Sequence, residues 1–215
     1  MNNGEQFDED YFLRGRQSGK SLYENYRWMP KLTTQMVKSI IDHLGIDEGE
    51  TILDFGCARG YVVKAFRQLG YSAYGVDISK WAIENADREV RSYLSHITGS
   101  TTLRTEYVGV DWVVAKDVLE HIPSVTDTII NLMSIARNGV FVVVPLSIED
   151  GSPYVVADYE KDVTHIHRLT LVSWVRLFMR PGWEVIASYR VKGVKDNYAH
   201  YPLGNGFIVA RRLKE

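Results

Sequence analysis

Residues 51–60 read T-I-L-D-F-G-C-A-R-G. A short apolar run meets an acid, and two glycines follow, four residues apart. The run is too brief for a helix and has the character of a buried strand. Gly56 and Gly60 let the chain turn tightly and let backbone approach a ligand closely. The next stretch, Y-V-V-K-A-F-R-Q-L (61–69), has helical spacing. Strand, glycine turn and helix together are the opening unit of an open α/β sheet, in which ligands sit beyond the carboxyl ends of the strands.

The downstream pattern repeats the unit. S-A-Y-G-V-D (72–77) reads as a second strand, and S-K-W-A-I-E-N-A (79–86) as a helix with Ser79 as N-cap. A short third strand is expected near Ser92–Ile97. D-W-V-V-A-K-D (111–117) is a strand, V-T-D-T-I-I-N-L-M-S-I-A-R (125–137) a helix stopped by Asn138-Gly139, and V-F-V-V-V-P (140–145) a strand. After a helix at 171–179, W-E-V-I-A-S-Y-R (183–190) and G-F-I-V-A-R-R-L (206–213) follow with no helix between them. Such strands pair antiparallel. The expected fold is therefore α/β: a doubly wound, Rossmann-like, seven-stranded sheet, mostly parallel, with a C-terminal antiparallel hairpin. Upstream, Leu32, Met36, Ile40, Ile41 and Leu44 lie at helical spacing, and Gly45 supplies a stop. Residues 1–30 form an N-terminal extension, irregular or partly helical, and 31–215 the main domain.

Composition narrows the function. The chain has 215 residues, 45% hydrophobic and 24% charged, which suits one globular domain. A net charge of −2 gives no basic field toward nucleic acid or an anionic membrane. Cys57 is the single cysteine, so neither an internal disulfide nor a multi-cysteine metal site can form. With no signal-peptide pattern and no apolar run of membrane length, the expectation is a cytoplasmic protein. The stretch R-G-R-Q-S-G-K-S (14–21) ends like a phosphate-binding P-loop, but Arg14 stands where the first glycine belongs and no buried strand precedes it. It reads as a polar loop.

The ligand is sought instead at three acids expected at strand ends: Asp54, Asp77 and Asp117. The turn after Asp54 lacks G-x-G-x-x-G, and an acid there would repel a pyrophosphate. A ligand with positive charge and no phosphate fits better, and S-adenosylmethionine is one. Asp77 lies 23 residues after Asp54, close to the roughly 20 at which an acid meets ribose hydroxyls in the related dinucleotide fold. Ile78 beside it is placed to cover an adenine face.

T-I-L-D-F-G-C-A-R-G, then Y-G-V-D-I-S, then W-V-V-A-K-D-V-L-E-H-I-P resemble the successive motifs of class I S-adenosylmethionine-dependent methyltransferases. The nearest resemblance is to bacterial small-molecule methyltransferases with a D-V-L-E-H motif, and K-D-V-T-H-I-H-R-L-T-L-V-S-W resembles a D-x-T-H segment found in some of them. The resemblance implies S-adenosyl-L-methionine as cofactor. It places Asp54 and Gly56 by the amino-acid end, Gly60 at the helix start, Asp77 on the ribose, and Asp117 and Val118 along the cofactor. Cys57 belongs to the same turn, as a small packing residue rather than a nucleophile. The family usually has glycine where this chain has Ala58, which a positive φ would strain.

The base candidates are His121, just past the fourth strand, and the Asp162–His165 pair of D-x-x-H-x-H, which ends at His167. No complete metal-ligand set is legible, so no metal is assigned. Tyr23, Tyr26, Arg27 and Trp28 belong to an aromatic and basic N-terminal stretch expected to act as a lid over the substrate. The expected activity is methyl transfer to a hydroxyl or amine of a small molecule, such as a sugar or secondary metabolite. The alternatives are a non-catalytic or regulatory S-adenosylmethionine-binding protein and a nicotinamide-dependent oxidoreductase. The latter is disfavoured by the missing glycine fingerprint. A nucleic-acid substrate is disfavoured by the charge and by D-V-L-E where N-P-P-Y or D-P-P-Y would stand.

Overall fold

A computed structural model describes residues 4–99, 103 and 107–214. Two short helices open it, α1 (Glu9–Leu13) and α2 (Gly15–Ser18), followed by α3 (Pro30–Leu44). Pro30 occupies the first turn of α3, and Gly45 ends it in the left-handed region at φ 64°. Then come β1 (Thr51–Phe55), α4 (Tyr61–Gln68), β2 (Ser72–Asp77), α5 (Lys80–Glu84), β3 (Leu94–His96) and β4 (Val110–Lys116). The chain finishes with α6 (Val125–Ile135), β5 (Ala136–Pro145), α7 (Leu171–Phe178), β6 (Trp183–Ser188) and β7 (Asn205–Arg212).

The seven strands form one sheet in the order β3-β2-β1-β4-β5-β7-β6. The pairs from β3 to β5 are parallel, and β7 runs antiparallel to both β5 and β6. The chain reverses its direction of winding at β1 and β4, which puts the topological switch point beside Asp54 and Asp117.

Strand residues alternate between two cores. On one face Leu53, Val113, Ala115, Val140, Val142 and Val144 meet residues of α6 and α7, among them Ile129, Leu132, Trp174 and Phe178. On the other, Ile52, Trp112, Val114, Phe141 and Val143 meet Val37, Ile40 and Leu44 of α3 and Val63 and Phe66 of α4. Burial on both faces explains the near-continuous apolar runs of the central strands. Among the described residues, no helix is long and apolar enough to cross a membrane.

Two local expectations are corrected. The third strand is shorter than 92–97, because residues 91–93 form a 3-10 turn. The helix expected over 125–137 ends at Ile135, and β5 begins at once with Ala136 paired to Val110. Asn138 and Gly139 therefore lie within β5 and do not stop the helix. Gly139 serves close packing: a Cβ there would lie 2.7 Å from the Ala210 carbonyl oxygen and from the Trp112 ring.

Candidate functional site

The turn after β1 is built by glycine and by one strained alanine. Gly56 has φ 81°, and a Cβ on it would come within 2.3 Å of Val118. Gly60, at φ 78°, precedes α4, and a Cβ there would strike Leu94 at 2.5 Å. Ala58 adopts φ 48°, as the missing family glycine foreshadowed. That conformation turns its N–H toward Asp77, whose Oδ2 accepts at 2.7 Å, while Oδ1 accepts from the Ser79 N–H at 2.7 Å. Asp77 is thus locked in place by backbone from both sides of the crevice, and its second lone pairs are left for a ligand.

Asp54 is buried, at 4% exposure. Burial first, and then the negative charge of Asp77, push its carboxyl up to about 7. Burial also raises Asp77, against the opposing backbone N–H groups. Two desolvated acids facing one crevice attract a cationic ligand. Cys57 keeps its side chain in the core, 2.8 Å from where a Gly75 Cβ would be, so only its backbone belongs to the turn. The Ile78 carbonyl pairs with His96 Nε2 at 3.1 Å and faces Gly4. Residues 100–102 and 104–106 lie outside the described residues.

Past β4 the chemistry changes. Asp117 adopts φ 55° and is clamped between Lys116 and Lys195, the latter at 2.8 Å. Burial opposes its charge, but the two ammonium groups overcome this and hold the carboxyl far below its usual range. Next to it Glu120, at 1% exposure, has no such partner, and burial and Asp117 push it well up. His121 and His165 lie with ring centroids 4.7 Å apart. Burial lowers both, His121 to about 4 with a further push from His165, so both imidazoles are neutral at pH 7.

The hydrogen bonds fix their tautomers. Asp162 accepts the Thr164 hydroxyl at 2.5 Å, so the Thr164 oxygen, 2.7 Å from His121 Nδ1, must accept from that nitrogen. His165 Nδ1 is 2.9 Å from the Tyr159 carbonyl oxygen and must donate to it. Each ring therefore keeps a bare Nε2; that of His165 lies 4.0 Å from Glu120 Oε1, and one ligand atom from each of Glu120, His121 and His165 falls within 4.8 Å of the others. The expected trio of His121, His165 and Asp162 is assembled in space. His167 is not part of it: its Nε2 donates to the Ile122 carbonyl at 2.7 Å and its ring packs on Trp174.

The N-terminal extension lies over this crevice. The Ser79 hydroxyl donates to the Phe7 carbonyl at 2.5 Å, Phe7 packs edge-on against Tyr11 and His121, and the Tyr11 hydroxyl donates to Asp162 at 2.8 Å. Tyr23 and Tyr26 join Phe12 in the same aromatic cluster, and Phe12 stacks on Trp81. Arg27 is exposed, and Trp28 packs instead on Tyr61 and Lys64 of α4. The Gly19-Lys20-Ser21 stretch is internally satisfied, with Lys20 on Asp8 at 2.5 Å and Ser21 Oγ on the Tyr11 carbonyl at 2.6 Å. Glu120, Thr164, Tyr159 and Lys195 were not singled out by sequence. Only Glu120 carried a signal, as the second acid of D-V-L-E-H, four residues past the end of β4.

Comparison with known proteins agrees with this fold. A family model described as "Methyltransferase domain" matches residues 27–188. The mitochondrial ubiquinone biosynthesis O-methyltransferase of Schizosaccharomyces pombe is 33% identical over 106 residues, 46% of this chain. That match spans only 39% of the relative's length. A SAM-dependent methyltransferase from Archaeoglobus fulgidus superposes with a TM-score of 0.63 at 15% identity, covering 86% of this chain and 95% of that one. Magnesium protoporphyrin IX methyltransferase from Synechocystis PCC 6803, solved with SAM bound, gives 0.56 at 19% identity over 85% and 80% of the two chains. With the sheet order, the glycine turn and the paired acids in place, the chain belongs to the methyltransferase-domain family and shares the fold of solved S-adenosylmethionine-dependent methyltransferases.

Proposed function

We propose that the protein transfers the methyl group of S-adenosylmethionine to a hydroxyl oxygen of a small molecule, with residues 1–30 serving as a lid on the acceptor. The observation that carries this reading is the pair of neutral imidazoles, each with a bare Nε2, clustered with Glu120 next to the crevice and under an aromatic cover. An amine acceptor needs only to be neutral, whereas a hydroxyl needs its proton taken, and this cluster supplies lone pairs for that. The acceptor oxygen attacks the methyl carbon, the S–C bond breaks with its electron pair going to sulfur, and the hydroxyl proton leaves to the cluster. S-adenosylhomocysteine and a methyl ether result. Because the sulfonium is already a good leaving group, positioning supplies most of the acceleration.

In this reading Asp54 meets the cofactor ammonium, Asp77 the ribose, and Gly56, Gly60, Ile78, Asp117 and Val118 shape the walls. Phe7, Tyr11, Tyr23 and Tyr26 offer ring faces to a planar or sugar-like acceptor. The O-methyltransferase named above supports oxygen as the acceptor atom. The test is incubation with methyl-labelled S-adenosylmethionine and a panel of phenols, catechols, sugars and amines, read by mass spectrometry. Labelled methyl ethers and stoichiometric S-adenosylhomocysteine are expected. Labelled amines with no ethers would overturn the choice of oxygen.

A further inference from the structure

We propose that Glu120, His121 and His165 hold one divalent transition-metal ion, of the zinc or manganese kind, which binds the acceptor hydroxyl. The inference rests on the proposed function and refines its proton path: with the ion bound, the Nε2 lone pairs hold the metal, and the acceptor's proton leaves to water rather than to an imidazole.

Three observations carry it. The ligand atoms of the three residues all lie within 4.8 Å of one another. Donors about 2.0–2.2 Å from a shared ion stand a little over ~3 Å apart, so a modest inward movement of side chains closes the set. Both rings also have the outer hydrogen bond that metal-bound histidines have. Nδ1 of His121 is bound by Thr164, which is itself fixed by Asp162, and Nδ1 of His165 is bound by the Tyr159 carbonyl. Those contacts aim each Nε2 and fix its tautomer before any ion arrives.

The third observation is the orphaned acid. Glu120 Oε2 is buried and has no hydrogen-bond partner among the described residues. The neighbouring acids are all provided for: Asp117 by Lys116 and Lys195, Asp162 by Tyr11 and Thr164. A buried carboxylate left alone is costly, and a cation beside it removes the cost. Two imidazoles and one carboxylate form a three-ligand set that leaves a position open, and it suits zinc or other first-row divalent ions over magnesium or calcium. A hydroxyl bound at the open position becomes more acidic, its proton passing to water, and the resulting alkoxide or phenoxide is the stronger nucleophile.

The test strips the purified protein with a chelator and titrates it with Zn2+ and Co2+, following bound metal, the visible Co2+ absorption and Tm. One ion per chain is expected, with weakening of at least ~10-fold in Glu120→Gln and in His165→Ala. Imidazole 15N spectra of the unaltered protein provide an independent readout, with two Nε2 signals shifting on Zn2+ addition. No uptake, or uptake equal in wild type and both variants with unshifted Nε2 signals, overturns the proposal. A thermal shift with S-adenosylmethionine is run in parallel. A shift without metal uptake sinks the metal alone; metal uptake without that shift leaves the site standing and sinks the cofactor reading.

Discussion

At the ends of β1 and β2, the crevice is made from one strand–turn–helix unit and the acid that follows the next strand. At the end of β4, it is made from pieces that are far apart in the chain: Tyr11, Asp117 to His121, Tyr159 to His165, and Lys195. The first half is held chiefly by backbone. Asp77 is fixed by the N–H groups of Ala58 and Ser79, and the turn depends on glycine conformations. The second half is held by side chains that satisfy one another. A backbone-built site tolerates little change in shape and has one ligand in view. A side-chain-built site can be retuned residue by residue, which suits the half proposed to recognise an acceptor.

The sharpest way to break this contrast is at Asp77. Asp77→Ala is expected to abolish the thermal shift given by S-adenosylmethionine, about 2.7 kcal/mol at a hundred times the dissociation constant. It should also cost stability, because two backbone N–H groups lose their charged acceptor. An undiminished shift would mean that the ligand sits elsewhere.

Asp54 should make the cofactor-free protein pH-sensitive. Its folded carboxyl is raised to about 7, so the folded state holds the proton more tightly than the unfolded chain. The stability this group contributes is full below about pH 4 and is lost as pH rises toward 7. The loss should be on the order of 4 kcal/mol, read from urea unfolding at several pH values. Asp54→Asn should flatten that slope, and an unchanged slope would assign it to other groups.

Gly56→Ala should cost about 1–3 kcal/mol, since the new Cβ meets Val118 at 2.3 Å in a conformation alanine resists. A neutral result would mean the turn is looser than its contacts indicate. In the other half, Tyr11→Phe removes one hydrogen bond to Asp162 and should cost about 1 kcal/mol. It should leave S-adenosylmethionine binding intact, because the phenol belongs to the side-chain half. Loss of cofactor binding in this variant would erase the distinction between the halves. The smallest effect is expected at Ala58→Gly. Relief at φ 48° is worth about 1 kcal/mol, and the greater freedom of glycine in the unfolded chain offsets most of it. The two forms should melt within a few degrees of each other.

The same division explains what the sequence disclosed. Asp54, Gly56, Gly60 and Asp77 were legible because a strand end, a glycine turn and a helix start are neighbours in the chain, and their spacing is set by backbone geometry. The strain at Ala58 followed from the same pattern. His121, His165 and Asp162 could be suspected as residue types, but their convergence was not readable, since it depends on a crossing of segments forty residues apart. Glu120 became meaningful only once its carboxylate was found buried without a partner. Lys195 had no local signature, because its role is set by Asp117 across the sheet end. The misplaced end of α6 has a similar cause: Asn138-Gly139 is a common helix stop, and only the Trp112 ring and the Ala210 carbonyl reveal why a strand needs that glycine.

The place of β7 bears on how the molecule comes into being. It is the last strand in chain order, yet it lies between β5 and β6, and among the described residues β6 pairs with no other strand. Until residues 205–212 are available, β5 presents an open edge and β6 has nothing to join. During synthesis the N-terminal half of the sheet can assemble early, while completion waits for β7 to insert itself between two waiting partners. A stalled or shortened chain would therefore display unpaired, apolar strand edge, the form of intermediate that aggregates and that chaperones retain.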